Sequence, residues 1–587
     1  MKPLIFLLFT LLLTNLHLAQ SRNDELRLLE GHLDGDETKE KIYGGGTFRL
    51  NEVEGFRNLF PHSLVDACSY RIASQVYQGL LRFDPESLEI VPGLAEAWSL
   101  NEDGTKYTFH LRKGVFFHDN ACFPNGKGRE LNASDVAHCF TQLCTFSRSN
   151  LLFEMFHNRI VGANEYFEAS QNGSAKDSRV KGVRVVDDYT VELSLTQPFA
   201  PFLNVIAHNA CWIYPLELIK KYGPEVRVNC VGTGPFIISK MKEGELVVLK
   251  RNPNYWERDE FGNQLPYLDT ISISFIPEKK LELLGFYKGE LDLLFKLPVE
   301  EIGTLIGGLS NAKDGLPMRF QYQSMMGIGV QYYGLLHTSV VFENIHVRKA
   351  FNYAIDRHKL VDYTLQGEGH PSEHGFLARM PGFDDSKVKG FTYNPEKARE
   401  ELALANYPNG KGFPEVTIYI NNGGVSNTII AESVRQMLEE VLNVKISIHL
   451  VSFSTLIEQF TAGKCDIWRT GWIVDYPDPE NMLKLFYGKT VPKDPNELSF
   501  PNAYRYQNPK YDSIFELAMA ELDADKRESL YQKCDQLLVD DAAYLALYHD
   551  ENIRLLGLDV RNMPQNGMEY RDFTKVFFTK SDANEKE

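Results

Sequence analysis

The stretch 471–481, GWIVDYPDPEN, sets one carboxylate, Asp475, behind an aromatic and apolar run and ahead of two prolines, Pro477 and Pro479. Residues that precede proline are driven to extended backbone, so Tyr476 and Asp478 stiffen the segment. Asp478 before Pro479 suits an N-cap and first-turn pair opening a helix over PENMLKLFY, which gives Asp478 a structural duty. Asp475 has no such duty. It follows a predicted strand end, the place where open α/β sheets bind ligands. Arg469 lies six residues earlier, and an even separation along a strand puts both side chains on one face. Full extension separates them by about 20 Å, and any bend brings them closer. A fixed anion and a fixed cation in one cleft suit a zwitterion, with an ammonium on Asp475 and a carboxylate on Arg469. Spacing alone leaves open the alternative of two surface charges or a local ion pair.

Catalytic signatures are weaker. HPSEH, 370–374, has the H-x-x-E-H spacing of one class of zinc peptidase, which needs a helix to bring both histidines to one face. Pro371 inside the motif and Gly369 and Gly375 beside it oppose a helix, so a polar loop is expected. A zinc hydrolase using His370, Glu373 and His374 is the alternative from another functional class. GKT at 488–490 has Leu483 where a phosphate loop needs glycine. GTGPF at 232–236 lacks the third glycine of a dinucleotide loop and reads as a turn feeding a strand. The cysteines, Cys68, Cys122, Cys139, Cys144, Cys211, Cys230, Cys465 and Cys534, form no C-x-x-C pair and are too sparse to be the scaffold, although export permits some pairing. No catalytic residue, resident metal or cofactor is expected.

The elements that must position Asp475 and Arg469 follow from periodicity. Over 415–473, strand-like and helix-like runs alternate: EVTIYI, SNTIIAESVRQMLEEVL, VKISIHLV, FSTLIEQFTAG, CDIWRTGWI. This order predicts a mostly parallel sheet covered on both faces. Upstream, Val347, Ala350, Phe351, Ala354 and Ile355 fall on one helical face behind Asn344 as N-cap, and NPEKAREELALA opens a second helix on Asn394 and Pro395. From Arg82 to about Tyr214 hairpin signals dominate: Tyr107, Phe109 and Leu111 alternate with Thr108 and His110, and two short strands flank Asp187 and Asp188; beyond it, two more flank Glu243 and Gly244. In SYRIASQVYQGLL, the recurrence of Ile72, Val76 and Leu80 predicts a helix. Residues 22–42, charged and without hydrophobic periodicity, are read as a mobile leader.

With 587 residues the chain exceeds one core, and a length prior gives about four folding units, fewer if the lobes are large. Its balance of 62 basic against 79 acidic residues, net −17, and the lack of a Lys/Arg-rich block argue against nucleic acid as a partner. One lysine ahead of the apolar run 4–13 reads as a secretory signal peptide over 1–20, too short to span a bilayer, with cleavage expected near 19–21. No cysteine near it offers a lipid anchor.

Seven ordered motifs between about 45 and 575 resemble the family 5 solute-binding proteins of ABC importers: GLAEAWSLNEDGTKYTFHLRKGVFFHD, LNASDVAHCF, GTGPF, RNPNYW, VRKAFNYAIDRHKLV, NPEKAREELA and GWIVDYPDPEN. The resemblance implies an α/β, two-lobed flytrap with an extra subdomain in the first lobe. It divides the chain into a lobe I core of 43–82, 215–325 and 545–587, an extra subdomain of 83–214, and lobe II of 326–544. The hinge would be crossed near 327–336 and 543–551. It implies that Asp475 meets a peptide α-amino group, that Gly471 and Ile473, with Trp472 between them, offer backbone to an extended peptide, and that Arg469 meets the C-terminal carboxylate. The loop 421–427, NNGGVSN, lacks the basic side chain that some members bring there. The implied function is non-enzymatic: a periplasmic, monomeric protein that captures a short peptide and delivers it to an inner-membrane ABC permease. A non-peptide solute such as a sugar or nickel chelate is the alternative in the same role.

Overall fold

Six strands form the sheet that carries the candidate site, in the order His370–Pro371, Tyr544–His549, Gly329–Leu335, Ile467–Ile473, Val416–Asn421, Ile446–Val451. The computed structural model describes residues 22, 25–34, 39–175, 179–297, 320–422 and 425–580. The expected signal peptide lies outside them.

The sheet is mixed, not mostly parallel as the alternation of strands and helices predicts. Val416–Asn421 runs parallel to both Ile446–Val451 and Ile467–Ile473, and the remaining pairings are antiparallel. The reason is topological. The βαβαβ run builds only the parallel half, while Gly329–Leu335 and Tyr544–His549 enter from distant sequence and pair without crossover helices.

Helices cover one face. Val347, Ala350 and Phe351 of Ile345–Ala354, Ala398 and Leu402 of Pro395–Leu404, and Ile430, Val434 and Leu438 of Val425–Leu442 bury against Leu335, Ile418, Ile467 and Leu545. Both predicted caps form: Asn344 accepts the His346 N–H at 2.9 Å and Asn394 accepts the Lys397 N–H at 3.0 Å. The opposite face is aromatic, with Trp468 stacked on Tyr504 at 5.5 Å and Phe376 edge-on to Tyr332 at 4.9 Å.

A second group of sheets lies N-terminal. Lys106–Leu111 buries Tyr107, Phe109 and Leu111 as its period-2 pattern requires, and belongs to a four-stranded antiparallel sheet with Ala95–Leu100, Thr190–Ser194 and Val183–Asp187. Phe236–Lys242, Leu246–Arg251, Thr270–Ser274 and Thr47–Asn51 form another. GTGPF is a turn feeding the first of these. Its glycines let the chain press on a neighbouring backbone: a Cβ on Gly232 would lie 2.1 Å from the Val76 carbonyl oxygen.

Two local expectations fail. The described parts of the expected leader are not structureless, since Arg27–Asp34 and Lys39–Gly44 pair as antiparallel strands. The buried Arg22 guanidinium bridges Asp292 at 2.5 Å and Asp559 at 2.7 Å. Charge density there reflects tertiary ion pairing that a local composition test does not see. The helix expected over 69–81 spans only Ala67–Ala73. Val76 and Leu80 are buried past its end in a turn and a short strand region, where their spacing serves a different core contact.

The chain passes twice between the six-stranded sheet and a three-stranded sheet of Leu293–Phe295, Glu551–Leu556 and Gln321–Met326. One passage is 327–328 and the other is Asp550. The Gly327 N–H donates to the Asp550 carbonyl at 2.8 Å, so the two connections are bonded to each other. No helix among the described residues is long and apolar enough to cross a membrane.

Candidate functional site

Asp475 sits two residues past the end of Ile467–Ile473. Its geometry is set by Asn481, which is fully buried. The Asn481 amide donates to Asp475 Oδ2 at 3.0 Å, and its Oδ1 accepts both the Asp475 backbone N–H at 3.1 Å and the Trp472 indole N–H at 3.0 Å. One amide therefore fixes the carboxylate and the tryptophan together. Lys484 Nζ approaches Asp475 Oδ2 at 3.9 Å, and the two side chains are 17% and 39% exposed. Asp475 thus keeps access to solvent and has only a loosely held internal cation.

Groups from the 83–214 segment face this corner. Burial pushes His208 down to about 4, with Asp475 pulling it up and Lys484 lowering it further, so His208 is neutral at physiological pH beside the carboxylate. Its Nδ1 accepts the Ala210 N–H at 3.2 Å, leaving the proton on Nε2. Arg159 reaches Glu480 at 3.1 Å, and the Tyr476 hydroxyl donates to the other Glu480 oxygen. A cavity of about 90 Å³ between the two parts is lined by Glu154, Met155, Arg159, Trp472, Lys484, Phe500 and Pro501.

Asp478 is buried, accepts the Glu480 N–H at 2.9 Å and the Tyr531 hydroxyl at 3.2 Å, and is raised to about 6 by desolvation. Asp478 bonds the start of the helix, but the cap position falls on Pro479, one residue later than expected, and the α-helix covers only Glu480–Leu483 before tightening to a 3-10 turn.

Arg469 occupies a different corner. Its Nη2 donates to Gln331 Oε1 at 2.7 Å and its Nη1 to Asn421 Oδ1 at 3.4 Å. Asn421 is in turn held by the Asn427 amide, at 3.2 Å to its carbonyl and 3.3 Å to its side chain. Asn427 lies in the first turn of Val425–Leu442, whose N-terminal end carries partial positive charge. The acceptors on Arg469 are neutral amides, and among the described residues it forms no ion pair. The alternation argument linking Arg469 to Asp475 does not carry past Ile473, where the strand ends and the chain turns. Among the described residues the two charges share no hydrogen-bond partner. The sequence reading missed Asn481, Lys484, Gln331, Asn421 and His208. Asn481 is the last residue of the proline-locked stretch, and Asn421 and Asn427 bound the uncharged loop NNGGVSN.

The backbone between these corners is the third feature. Ile467–Ile473 pairs with Gly329–Leu335 along its whole length, but with Val416–Asn421 only at Ile467 and Trp468. Among the described residues no strand takes the other edge of 469–473, which includes Gly471 and Ile473.

The zinc alternative does not assemble. His370 turns to Glu551, His374 Nδ1 to the Val388 carbonyl at 3.2 Å, and Glu373 to His358 at 3.2 Å. No group of three or more potential ligands able to hold a metal occurs among the described residues. GKT is a single 3-10 turn. All eight cysteines are free thiols.

A mixed α/β sheet with a charged, partly open strand end facing a second body across a small cavity defines a two-lobed binding protein. Residues 89–494 match the family described as bacterial extracellular solute-binding proteins, family 5 middle, and the chain belongs to that family. Heme-binding protein A of Haemophilus influenzae is 26% identical over 92% of this chain and 94% of its own length. A dipeptide-binding protein of Escherichia coli is 27% identical over 84% of this chain and 87% of its own. Among solved structures, the Helicobacter pylori periplasmic binding protein DppA in complex with the peptide STSA superposes with a TM-score of 0.73 at 24% identity, covering 92% of this chain and 99% of that one. A Borrelia burgdorferi periplasmic oligopeptide-binding protein gives 0.71 at 26% identity, covering 91% and 99%. These likenesses establish the two-lobed periplasmic-binding-protein fold.

Proposed function

We propose that this chain is an exported, periplasmic binding protein that captures a short peptide by lobe closure and hands it to an inner-membrane ABC permease. The unpaired backbone edge of 469–473 carries the reading, because it offers main-chain hydrogen bonds to an extended ligand whatever its side chains. Asp475 then receives the α-ammonium, while Arg469 and the N-terminal turn at Asn427 receive the carboxylate. The names of the dipeptide- and oligopeptide-binding relatives agree with this reading. The lobes divide near the expected bounds, the first taking 43–82, 215–326 and the chain from 551 on, with 83–214 added to it, and the second taking 329–549. The expected 544/545 boundary moves to Asp550 because Tyr544–His549 pairs within the six-stranded sheet, so the lobes bend about 327–328 and Asp550.

Ligand touches both parts only when they meet, so binding shifts an open–closed equilibrium toward closed. Closure strips water from Asp475, and the ligand ammonium offsets that desolvation. The protein acts as a monomer and performs no chemistry on its cargo. Native mass spectrometry of the purified protein tests this directly: a co-purifying short peptide supports it, and a sugar or metal chelate in its place overturns it. A tetrapyrrole is the second reading, prompted by the heme-binding relative and by two exposed apolar side chains, Ile473 next to Trp472 and Phe500 on the cavity wall. A Soret band in the purified protein would mark it.

A further inference from the structure

The Arg469 guanidinium is held by a chain of side chains that runs to the connection between the two sheets. Gln331 accepts from Arg469 at 2.7 Å, and its own amide donates to Asp550 Oδ2 at 2.8 Å. Asp550 is the single residue between Tyr544–His549 and Glu551–Leu556, and its carbonyl accepts the Gly327 N–H of the other crossing. The strand register explains how Gln331 reaches both. Gln331 pairs with Gly471 on one side and Tyr548 on the other, while Arg469 pairs with Tyr333. Gln331 therefore lies on the same face as Arg469, one pleat along, above the glycine. A Cβ on Gly471 would come within 2.6 Å of Gln331 Oε1. The glycine leaves the space that the glutamine crosses.

We propose that Gln331 and Asp550 are positioning residues that aim Arg469 at the ligand's anionic end and join that end to the crossing about which the lobes close. This rests on the reading of Arg469 as the carboxylate-binding group. Gln331 holds one Nη of the guanidinium with a neutral oxygen, which fixes the plane of the fork and leaves its charge uncompensated for a ligand carboxylate. Asp550 in turn fixes which way the Gln331 amide faces. If the amide flipped, an N–H group would point at the guanidinium, and the arginine would lose its acceptor. The carboxylate of Asp550 thus acts on Arg469 through Gln331, without touching it.

The test uses the full-length protein and matched peptides that differ only in a free or an amidated C-terminus, with affinities measured by calorimetry. The readout is the ratio of acid to amide affinity. Arg469→Gln should collapse the ratio toward one. Gln331→Leu, similar in size but unable to accept or donate, should lower it by about tenfold, with amide affinity unchanged. Gly471→Ala, which displaces Gln331 without touching its chemistry, should also lower the ratio, in which any loss of backbone binding common to both peptides cancels, so the prediction survives if one variant folds poorly. Asp550→Asn keeps an oxygen for the Gln331 amide and should retain most of the ratio, whereas Asp550→Ala should not. A wild-type ratio in Gln331→Leu beside a collapsed one in Arg469→Gln overturns the positioning role alone. An unchanged ratio in Arg469→Gln overturns the carboxylate reading itself, and this inference with it.

Discussion

Replacing Asp475 by Asn removes the charge while keeping the size and the contact with Asn481. The local field can be worked from the geometry. Two unit charges 3.9 Å apart, the Lys484–Asp475 separation, attract by about 4 kcal/mol at an effective dielectric of about 20, and by about 1 kcal/mol in bulk water. Asp475 lies between these limits when the cleft is open and moves toward the first when closure removes water. A ligand ammonium at hydrogen-bonding distance gains at least as much, less the cost of desolvating both groups. A net loss of about 2–4 kcal/mol is expected for Asp475→Asn, which is about 30- to 1,000-fold in affinity. Lys484 adds a second effect. Once Asp475 is neutral, its ammonium repels the ligand's, so adding Lys484→Met should recover part of the loss. Lys484→Met alone should tighten binding, since it removes an internal competitor. Calorimetry with free and N-acetylated peptides reads all of this: acetylation should cost the wild type as much as Asp475→Asn does, and cost the variant little. If Asp475→Asn weakens both peptides equally, or neither, the carboxylate is not the ammonium's partner and the reasoning fails.

Other expectations follow from the same geometry. Asn481→Ala should weaken peptide binding by about tenfold and cost the fold about 1–3 kcal/mol, because it frees Asp475 and leaves the Trp472 indole N–H without its acceptor; quenching of tryptophan fluorescence by ligand checks it. Arg159→Ala leaves Glu480 buried without its cation and should cost about 3–5 kcal/mol, with Arg159→Met/Glu480→Gln less harmful than either single change, as measured by denaturant unfolding. Because that pair bridges the 83–214 and 326–544 segments, its loss should also raise the ligand-free radius of gyration in solution scattering. Asp535, fully buried and accepting the Phe376 and Leu377 N–H groups at 2.7 and 3.3 Å, is pushed up to about 7 by desolvation. A carboxyl raised in this way binds more protons folded than unfolded, so its contribution falls as pH rises from about 4 to about 7. The stability of Asp535→Asn relative to wild type should therefore increase across that window, by at most about 4 kcal/mol, in thermal melts at matched ionic strength. A flat difference would refute the burial argument.

Patterns that depend on near neighbours were legible. The Lys106–Leu111 strand, the caps at Asn344 and Asn394, and the turn at GTGPF each follow from a few consecutive residues whose backbone needs are met locally. The charged strands Arg27–Asp34 and Lys39–Gly44 were not legible, because what orders them is their pairing with each other and an anchor at Arg22 on Asp292 and Asp559, far away in sequence. The helix expected across Val76 and Leu80 failed for the opposite reason: a helical recurrence of apolar residues was produced by a turn and a short strand that bury the same side chains.

At the site the same division holds. The amino-acid order was enough to make Asp475 and Arg469 candidates, because one carboxylate on a stiff proline-bounded segment and one cation on the strand before it could serve a zwitterion, while a pair of surface charges remained open. Which groups surround each charge was decided only by the fold. Asn481 reaches back because the proline-locked turn reverses the chain onto Asp475. Gln331 reaches Arg469 because an antiparallel strand from 138 residues upstream lies beside it in one particular register. His208 faces Asp475 because a separate part of the chain closes over the strand end. Local sequence specifies local backbone, but electrostatic partners are chosen by distance in space, which the chain acquires only when its sheets assemble.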